Sequence, residues 1–400
     1  MRRMLERPDP RMASRETDGR LILGLIAAAL VGLNLRPAIT SVAALLDTIA
    51  EHQQLTTVEV VLLSSLPIAS FGVTAPLVPV VMRRLGVETT LFAAMVVLSL
   101  SLWLRASVDV LLLPATFTGG VAIMFGSVLI PPFLRSIAAS PFWIGVTTTM
   151  FGIGAATGAW IAIPVYKLAG NELTPALGMW SISALVAALG MLVVVVRERG
   201  RRTSLPLRAA PPVTDASRTW RLNISVVATF ALMAMVYATV IAWLPVMLQS
   251  QGVDAADAGA LLAWFNVAGF LPTMLLGTIA KRPRLLLGSA IAGGVLLAAA
   301  MAGFTLGQPS LAWLLVTVIG VAETGIFGIS MYLLVRNERP GSSVLSATSQ
   351  GVGYVLGASV SALAGALQSW SGDWNFSLWL LCAISLALAV CAGRAVRTSR

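Results

Sequence analysis

Apolar residues along this chain gather into twelve long runs, at roughly 21–46, 58–82, 89–105, 110–134, 142–166, 175–196, 222–249, 258–280, 285–305, 310–335, 342–368 and 374–393, with polar and charged residues confined to the gaps. Crossing the hydrocarbon core of a bilayer takes about 20 mainly apolar helical residues. Most of the runs reach that length, and their internal Gly and Pro residues are tolerated because neighbouring helices satisfy the freed backbone groups. The pattern predicts an all-α membrane protein with twelve transmembrane helices.

The charges in the gaps give an orientation, because short loops rich in Lys and Arg stay on the cytoplasmic side. With the N-terminus inside, 24 of the 27 basic residues fall inside: the leader 1–20, Arg83 and Arg84, Arg135, the segment 197–221, Lys281 to Arg284, Arg336 and Arg339, and the tail 394–400. Arg105 and Lys167 are assigned to outer loops, and Arg36 lies within a span. Acidic residues such as Asp47, Glu59, Asp109 and Asp254 mark the outer side. Both termini are therefore expected in the cytoplasm, with the chain in the cell's inner (plasma) membrane of bacterial type. The segment 197–221, rich in basic residues, Pro and Ser, reads as a linker between six-helix bundles at 21–196 and 222–393.

Composition supports this class and removes others. Hydrophobic residues make up 57% and charged residues 11% of the chain, against about 25% charged in a soluble domain. The net charge of +10 sits in topology-setting loops with no interleaved aromatic platform, so no nucleic-acid partner is expected. Cys382 and Cys391 share the last run, and His52 is the only histidine, so neither a metal site nor nucleophilic catalysis is supported. There is no phosphate-binding G-x-x-x-x-G-K-[ST]. An enzyme is not expected, no cofactor is implied, and the energy for any transport must come from a gradient or from the solute itself.

An internal repeat divides the chain. Gly152-Ile-Gly154-Ala-Ala-Thr-Gly158-Ala159 in span five returns as Gly351-Val-Gly353-Tyr-Val-Leu-Gly357-Ala358 in span eleven, 199 residues later. At a shift of 198, Arg83-Arg84 after span two matches Lys281-Arg282 after span eight. Parallel six-helix repeats are one way to build a secondary transporter with a site near mid-membrane. The glycines themselves read as close helix packing through small-xxx-small faces.

The stretch Gly32-Leu-Asn-Leu-Arg-Pro-Ala-Ile-Thr-Ser-Val42 in span one, Leu66-Pro67 with Phe71-Gly72 in span two, Trp243-Leu244-Pro245 in span seven and Gln350-Gly351-Val352-Gly353-Tyr354 in span eleven together resemble the cyanate permease and nitroimidazole transporter family of the major facilitator superfamily. The resemblance covers nearly the whole chain and implies a monomeric major facilitator fold whose central cavity is lined by spans one, four, seven and ten. It also implies a gating loop after span two, where the superfamily pattern G-x-x-x-D-R-x-G-R meets Pro79 and Arg83 in place of the Gly and Asp, while Arg84 and Gly86 remain.

Ionisable groups buried in a bilayer cost about 3 kcal/mol or more on insertion scales, so they are functional candidates. The runs contain two at depth, Arg36 in span one and Glu323 in span ten. Arg36 offers a planar, permanently charged donor fork suited to a small anion, or else a structural charge balanced by Glu323 or by carbonyls freed near Pro37. Glu323 is expected as a proton carrier or a counter-ion. Asn34, Thr40, Tyr237, Trp243, Gln350 and Tyr354 complete the expected substrate site, with Tyr237 aligned to Arg36 at a shift of 201 and Asn266 as a further amide. The Pro131-Pro132 pair is expected to bend or end span four.

Three functions compete. The first is transport of a small anionic or polar nitrogenous solute, cyanate-like, with possible proton symport; the second is efflux of drug-like aromatics such as nitroimidazoles. The third is a membrane sensor without transport, which a soluble signalling domain would favour.

Overall fold

The computed structural model of the chain describes residues 10–137, 141–199, 224–337 and 344–399. Among them are twelve helices long and apolar enough to cross a membrane, at Leu21–Ala44, Thr57–Leu85, Val87–Ser107, Asp109–Leu134, Thr149–Leu168, Leu173–Arg197, Ile224–Ser250, Ala255–Pro272, Pro283–Phe304, Pro309–Leu334, Thr348–Ser371 and Asn375–Thr398. They are called spans one to twelve below. Every run read from the sequence has its helix. The protein is an all-helical, multi-pass membrane protein, and large side chains such as Leu100, Trp103, Trp160, Trp313 and Trp379 stand on its outer surface, where a bilayer covers them.

Two ends differ from the sequence reading. The first helix begins at Pro10, within the expected leader, and the last continues to Thr398, because nothing in either flank breaks a helix once the apolar part has nucleated it. The expected linker 197–221 lies almost wholly outside the described residues. Span four passes through Pro131-Pro132 and ends only at Ser136, so the proline pair does not terminate it.

The packing is arranged twice over. Span three lies on spans four and six, and span one on five and six; likewise span nine lies on ten and twelve, and span seven on eleven and twelve. Between the halves, span two meets span eleven and span five meets span eight. Exchange of the halves maps each of these contacts onto the other. The local signals repeat as well: Thr56 caps span two, with its amide and that of Glu59 bonded to each other's side chains, and Asp254, 198 residues on, caps span eight through the Ala256 amide.

The glycine repeat explains how these contacts become close. Gly154 and Gly158 press span five onto Leu33, Pro37 and Thr40 of span one, while Gly353 and Gly357 press span eleven onto Phe230, Ala231 and Ala234 of span seven. The first glycine of each copy faces the other half instead, Gly152 against Phe270 and Gly351 against Gly72. Small residues let helices approach where lipid supplies no hydrophobic drive. The packing reading of the repeat therefore accounts for all six positions.

Breaks divide several spans near mid-depth. Pro37 interrupts span one at Leu35-Arg36, leaving helices Pro10–Asn34 and Pro37–Ala44. Pro76 and Pro79 sit where span two narrows to a 3-10 turn at Ala75–Leu77. Gly269 separates Ala255–Ala268 from Phe270–Ile279 in span eight. The two parts of each broken helix make different contacts. Pro37–Ala44 touches spans seven and eight besides span five, whereas Pro10–Asn34 packs on spans four, five and six; among the described residues Val78–Leu85 packs mainly within its own half, and Phe270–Ile279 does so apart from Phe270 itself, which meets Gly152 of span five. The halves thus meet from the acidic-loop face to mid-depth and diverge toward the face that carries Arg83, Arg84, Lys281 and Arg282.

Candidate functional site

At the break in span one, Arg36 is the residue before Pro37 and caps the Pro37–Ala44 helix with its backbone, not its side chain. The side chain is half-buried and crosses to the other half, where Nη1 donates to the Tyr237 hydroxyl at 2.6 Å. Its guanidinium carbon also lies 5.3 Å from the Tyr237 ring centroid. Arg36 and Tyr237 are 201 residues apart, close to the repeat offset. The bond therefore joins the two halves across their junction.

Around it stand aromatic side chains from three spans. Tyr354 of span eleven meets Phe71 of span two edge-on, with centroids 5.4 Å apart, and Phe230 of span seven in the same manner at 5.7 Å. Tyr354 is within electrostatic reach of both Arg36 and Tyr237. Glu323 of span ten is within reach of Tyr237 and is only 1% exposed, and neither of its carboxyl oxygens has a hydrogen-bond partner among the described residues. The sequence alternative in which Glu323 balances Arg36 is corrected here: the partner of the guanidinium is a phenol, because span seven, not span ten, faces the break in span one. Of the five N–H donors that a guanidinium carries, the Tyr237 hydroxyl takes one.

The other expected site residues separate into two groups. Gln350 is half-buried one turn before Tyr354, and its side-chain amide makes no hydrogen bond to the described residues. Asn34, Thr40 and Trp243 are turned into helix packing. Asn34 donates to the Leu30 carbonyl at 2.9 Å. Thr40 is fully buried against Gly158 and bonds the Arg36 carbonyl at 3.3 Å. Trp243 donates to the Ser361 carbonyl at 3.0 Å and stacks at a tilt on Trp374. Asn266 likewise bonds its own helix at Leu262. In the loop after span two, Arg83 and Arg84 are exposed, Arg83 bonding the Pro79 carbonyl at 3.2 Å. Gly86 adopts φ 83° and ψ 161°, a region that residues with a Cβ essentially do not enter.

One buried cation was missed. Arg105, read as an outer-loop residue, lies in the last turn of span three at 3% exposure, with Nη1 donating to the Ala38 carbonyl at 2.8 Å. The apolar run was cut at this residue, but the helix continues to Ser107 and rotates the guanidinium inward. A charge flanked by apolar residues on both sides, four residues before the first acidic loop residue, was the available signal. Among the described residues no group of His, Cys, Asp and Glu is arranged to hold a metal.

Comparison with known proteins agrees with this architecture. A 2-nitroimidazole transporter of Escherichia coli (strain K12) is 29% identical over 95% of this chain and 98% of its own, and the cyanate transport protein CynX of the same strain is 26% identical over 91% and 95%. An uncharacterized transporter, YycB, of Bacillus subtilis (strain 168) is 27% identical over 92% and 91%. Among solved structures, the nucleoside transporter NupG superposes with a TM-score of 0.70 at 15% identity, over 94% of this chain and 98% of its own. A D-xylose-proton symporter does so at 0.67 and 15%, over 93% and 96%; at such identities the likeness concerns the fold. The family model of the Major Facilitator Superfamily matches residues 22–358, and with its doubled bundle of twelve spans the chain belongs to that superfamily of transporters.

Proposed function

We propose that this protein is a secondary transporter that moves a small anionic or polar nitrogenous solute, cyanate-like, across the cell's inner membrane by alternating access. The observation that carries the reading is the Arg36–Tyr237 pair at the junction of the halves. A guanidinium held by one donor in a half-buried site has further donors for a solute's lone pairs, and a group at the junction of the halves is within reach from either face when the bundles rock. The basic face is the cytoplasmic one in this reading, so the contacts described above correspond to a state shut on the outside and parted toward the cytoplasm. Glu323 carries the proton: it is buried, unpartnered and near Tyr237, where a solute on Arg36 alters its field. The protein acts as a monomer without a cofactor.

A second reading is export of aromatic nitroimidazoles. The cluster of Phe71, Phe230 and Tyr354 favours it, since edge-on rings suit a flat aromatic guest.

Reconstituted vesicles test both. Labelled cyanate is expected to accumulate when a proton gradient points inward, and Arg36→Ala protein that inserts normally is expected to lose at least about 90% of that uptake, as a loss of about 1.4 kcal/mol in binding would produce. Cyanate uptake that survives in Arg36→Ala overturns the role of the guanidinium. Gradient-driven movement of 2-nitroimidazole, with none of cyanate, replaces the first reading by the second.

A further inference from the structure

We propose that Arg105 and the pocket beside it form a second anion subsite, between the acidic-loop face and the central Arg36–Tyr237 pair, which a solute occupies when the halves part on that face. The pocket is lined by Ala38, Leu46, Ser64, Thr116, Arg105 and, from the other half, Ala242. Its free volume of about 10 Å³ is the room of a single water. Because Ala242 belongs to span seven and the other lining residues to the first half of the chain, separation of the halves along this seam removes one wall. The pocket then widens and faces the acidic-loop side.

The guanidinium is built for a ligand more than for a strut. Its one bond, to the Ala38 carbonyl, is a task that a neutral amide would perform without the desolvation of a buried charge. Nε and Nη2 are buried without partners. The hydroxyls of Ser64 and Thr116 already donate to the Val61 and Leu112 carbonyls, at 2.8 and 2.7 Å, so the donors left for an anion here are those of the guanidinium. No acidic side chain is among the described lining residues. A buried, uncompensated cation with two unpartnered nitrogens, which carry three N–H groups between them, attracts a small anion or the lone-pair end of a polar solute. Ala38 lies two residues beyond Arg36, toward the acidic-loop side, so the pocket sits beyond the central pair in that direction.

The proposal rests on the alternating-access reading, and its test uses no transport substrate. Ser64→Cys is introduced into a Cys382→Ser, Cys391→Ser background of the full chain in oriented vesicles. Modification from the acidic-loop side is timed with an anionic sulfonatoethyl and a cationic trimethylammonioethyl methanethiosulfonate. The anionic reagent is expected to be faster by about tenfold, relative to the ratio for free cysteine, as a nearby unit charge of reduced screening provides. Arg105→Gln removes the preference and Arg105→Lys keeps it; where the Gln variant does not fold, the preference of the parent and its retention in the Lys variant decide. Millimolar thiocyanate slows the anionic reagent, and chloride at the same concentration does not. Equal rates for the two reagents, a preference that survives Arg105→Gln, chloride protection matching that of thiocyanate, or a thiol that never reacts from that side each overturns the subsite. Cyanate uptake and its dependence on Arg36 stand or fall separately from all of these outcomes.

Discussion

Tyr237→Phe isolates the bond across the junction of the halves. It deletes the oxygen that accepts from Arg36 Nη1 at 2.6 Å and leaves the ring, 5.3 Å from the guanidinium carbon, in place. A hydrogen bond to a charged group contributes about 1.5–3 kcal/mol when fully desolvated. Both residues here are half-buried, so water replaces part of the loss and about 1–1.5 kcal/mol remains, roughly a five- to tenfold effect. If the hydroxyl orients the donor fork for the solute, that loss appears as a rise of KM for cyanate uptake in vesicles, with the maximal rate within about twofold, since orientation contributes to binding rather than to the rocking of the bundles. Arg36→Lys, which has no fork to orient, is expected to absorb the effect, so that the double variant is little worse than Arg36→Lys alone and the cycle is non-additive. An unchanged KM, a lowered one, or strict additivity refutes the reasoning. A lowered KM in particular means that Tyr237 competes with the solute instead of presenting Arg36 to it.

Two further perturbations probe coupling and packing. Glu323→Gln keeps the shape of a side chain whose oxygens have no partner and removes its ability to carry a proton; exchange of cyanate at equal pH on both sides is expected to persist within about threefold while stimulation by a proton gradient disappears, and retained stimulation assigns the proton to another group. Gly357→Ala places a methyl 2.7 Å from the Ala234 carbonyl oxygen of span seven, an overpacking that costs about 1–3 kcal/mol. Gly288→Ala meets no atom within 4 Å and gains up to about 1 kcal/mol of helix propensity. Melting temperatures in detergent are expected to fall for Gly357→Ala and hold or rise for Gly288→Ala; the reverse order contradicts the packing account of the repeat.

The spans and the doubled plan were legible because hydrocarbon leaves the backbone few options, and because Gly152–Ala159 and Gly351–Ala358 repeat at a fixed distance. What was not legible is the rotation of each span about its own axis. In a soluble helix the polar stripe reveals which side faces inward; here the lipid face and the packed face are both apolar, so Thr40 and Trp243 were grouped with Arg36 although they turn into the bundles. The same ambiguity assigned Arg105 to a loop. Arg36 was readable as an intramembrane charge, but its partner was not, since only the tertiary packing decides whether span seven or span ten faces the proline break.

The symmetry of the scaffold and the asymmetry of its chemistry bear on each other. At the offset of 199, Glu323 corresponds to Met124 and Arg105 to Phe304, and both counterparts are buried and apolar. The buried guanidinium of Arg105 and the half-buried one of Arg36 therefore belong to the first six spans and the buried carboxyl group to the last six. Rocking of one bundle against the other changes the distance between these opposite charges, whereas charges placed symmetrically would set like against like. An anion held on the guanidinium side lowers the field that the carboxyl group experiences. Under the proposed function, such an arrangement lets solute and proton influence each other most when the halves are closest at mid-depth, which is where the Arg36–Tyr237 bond lies.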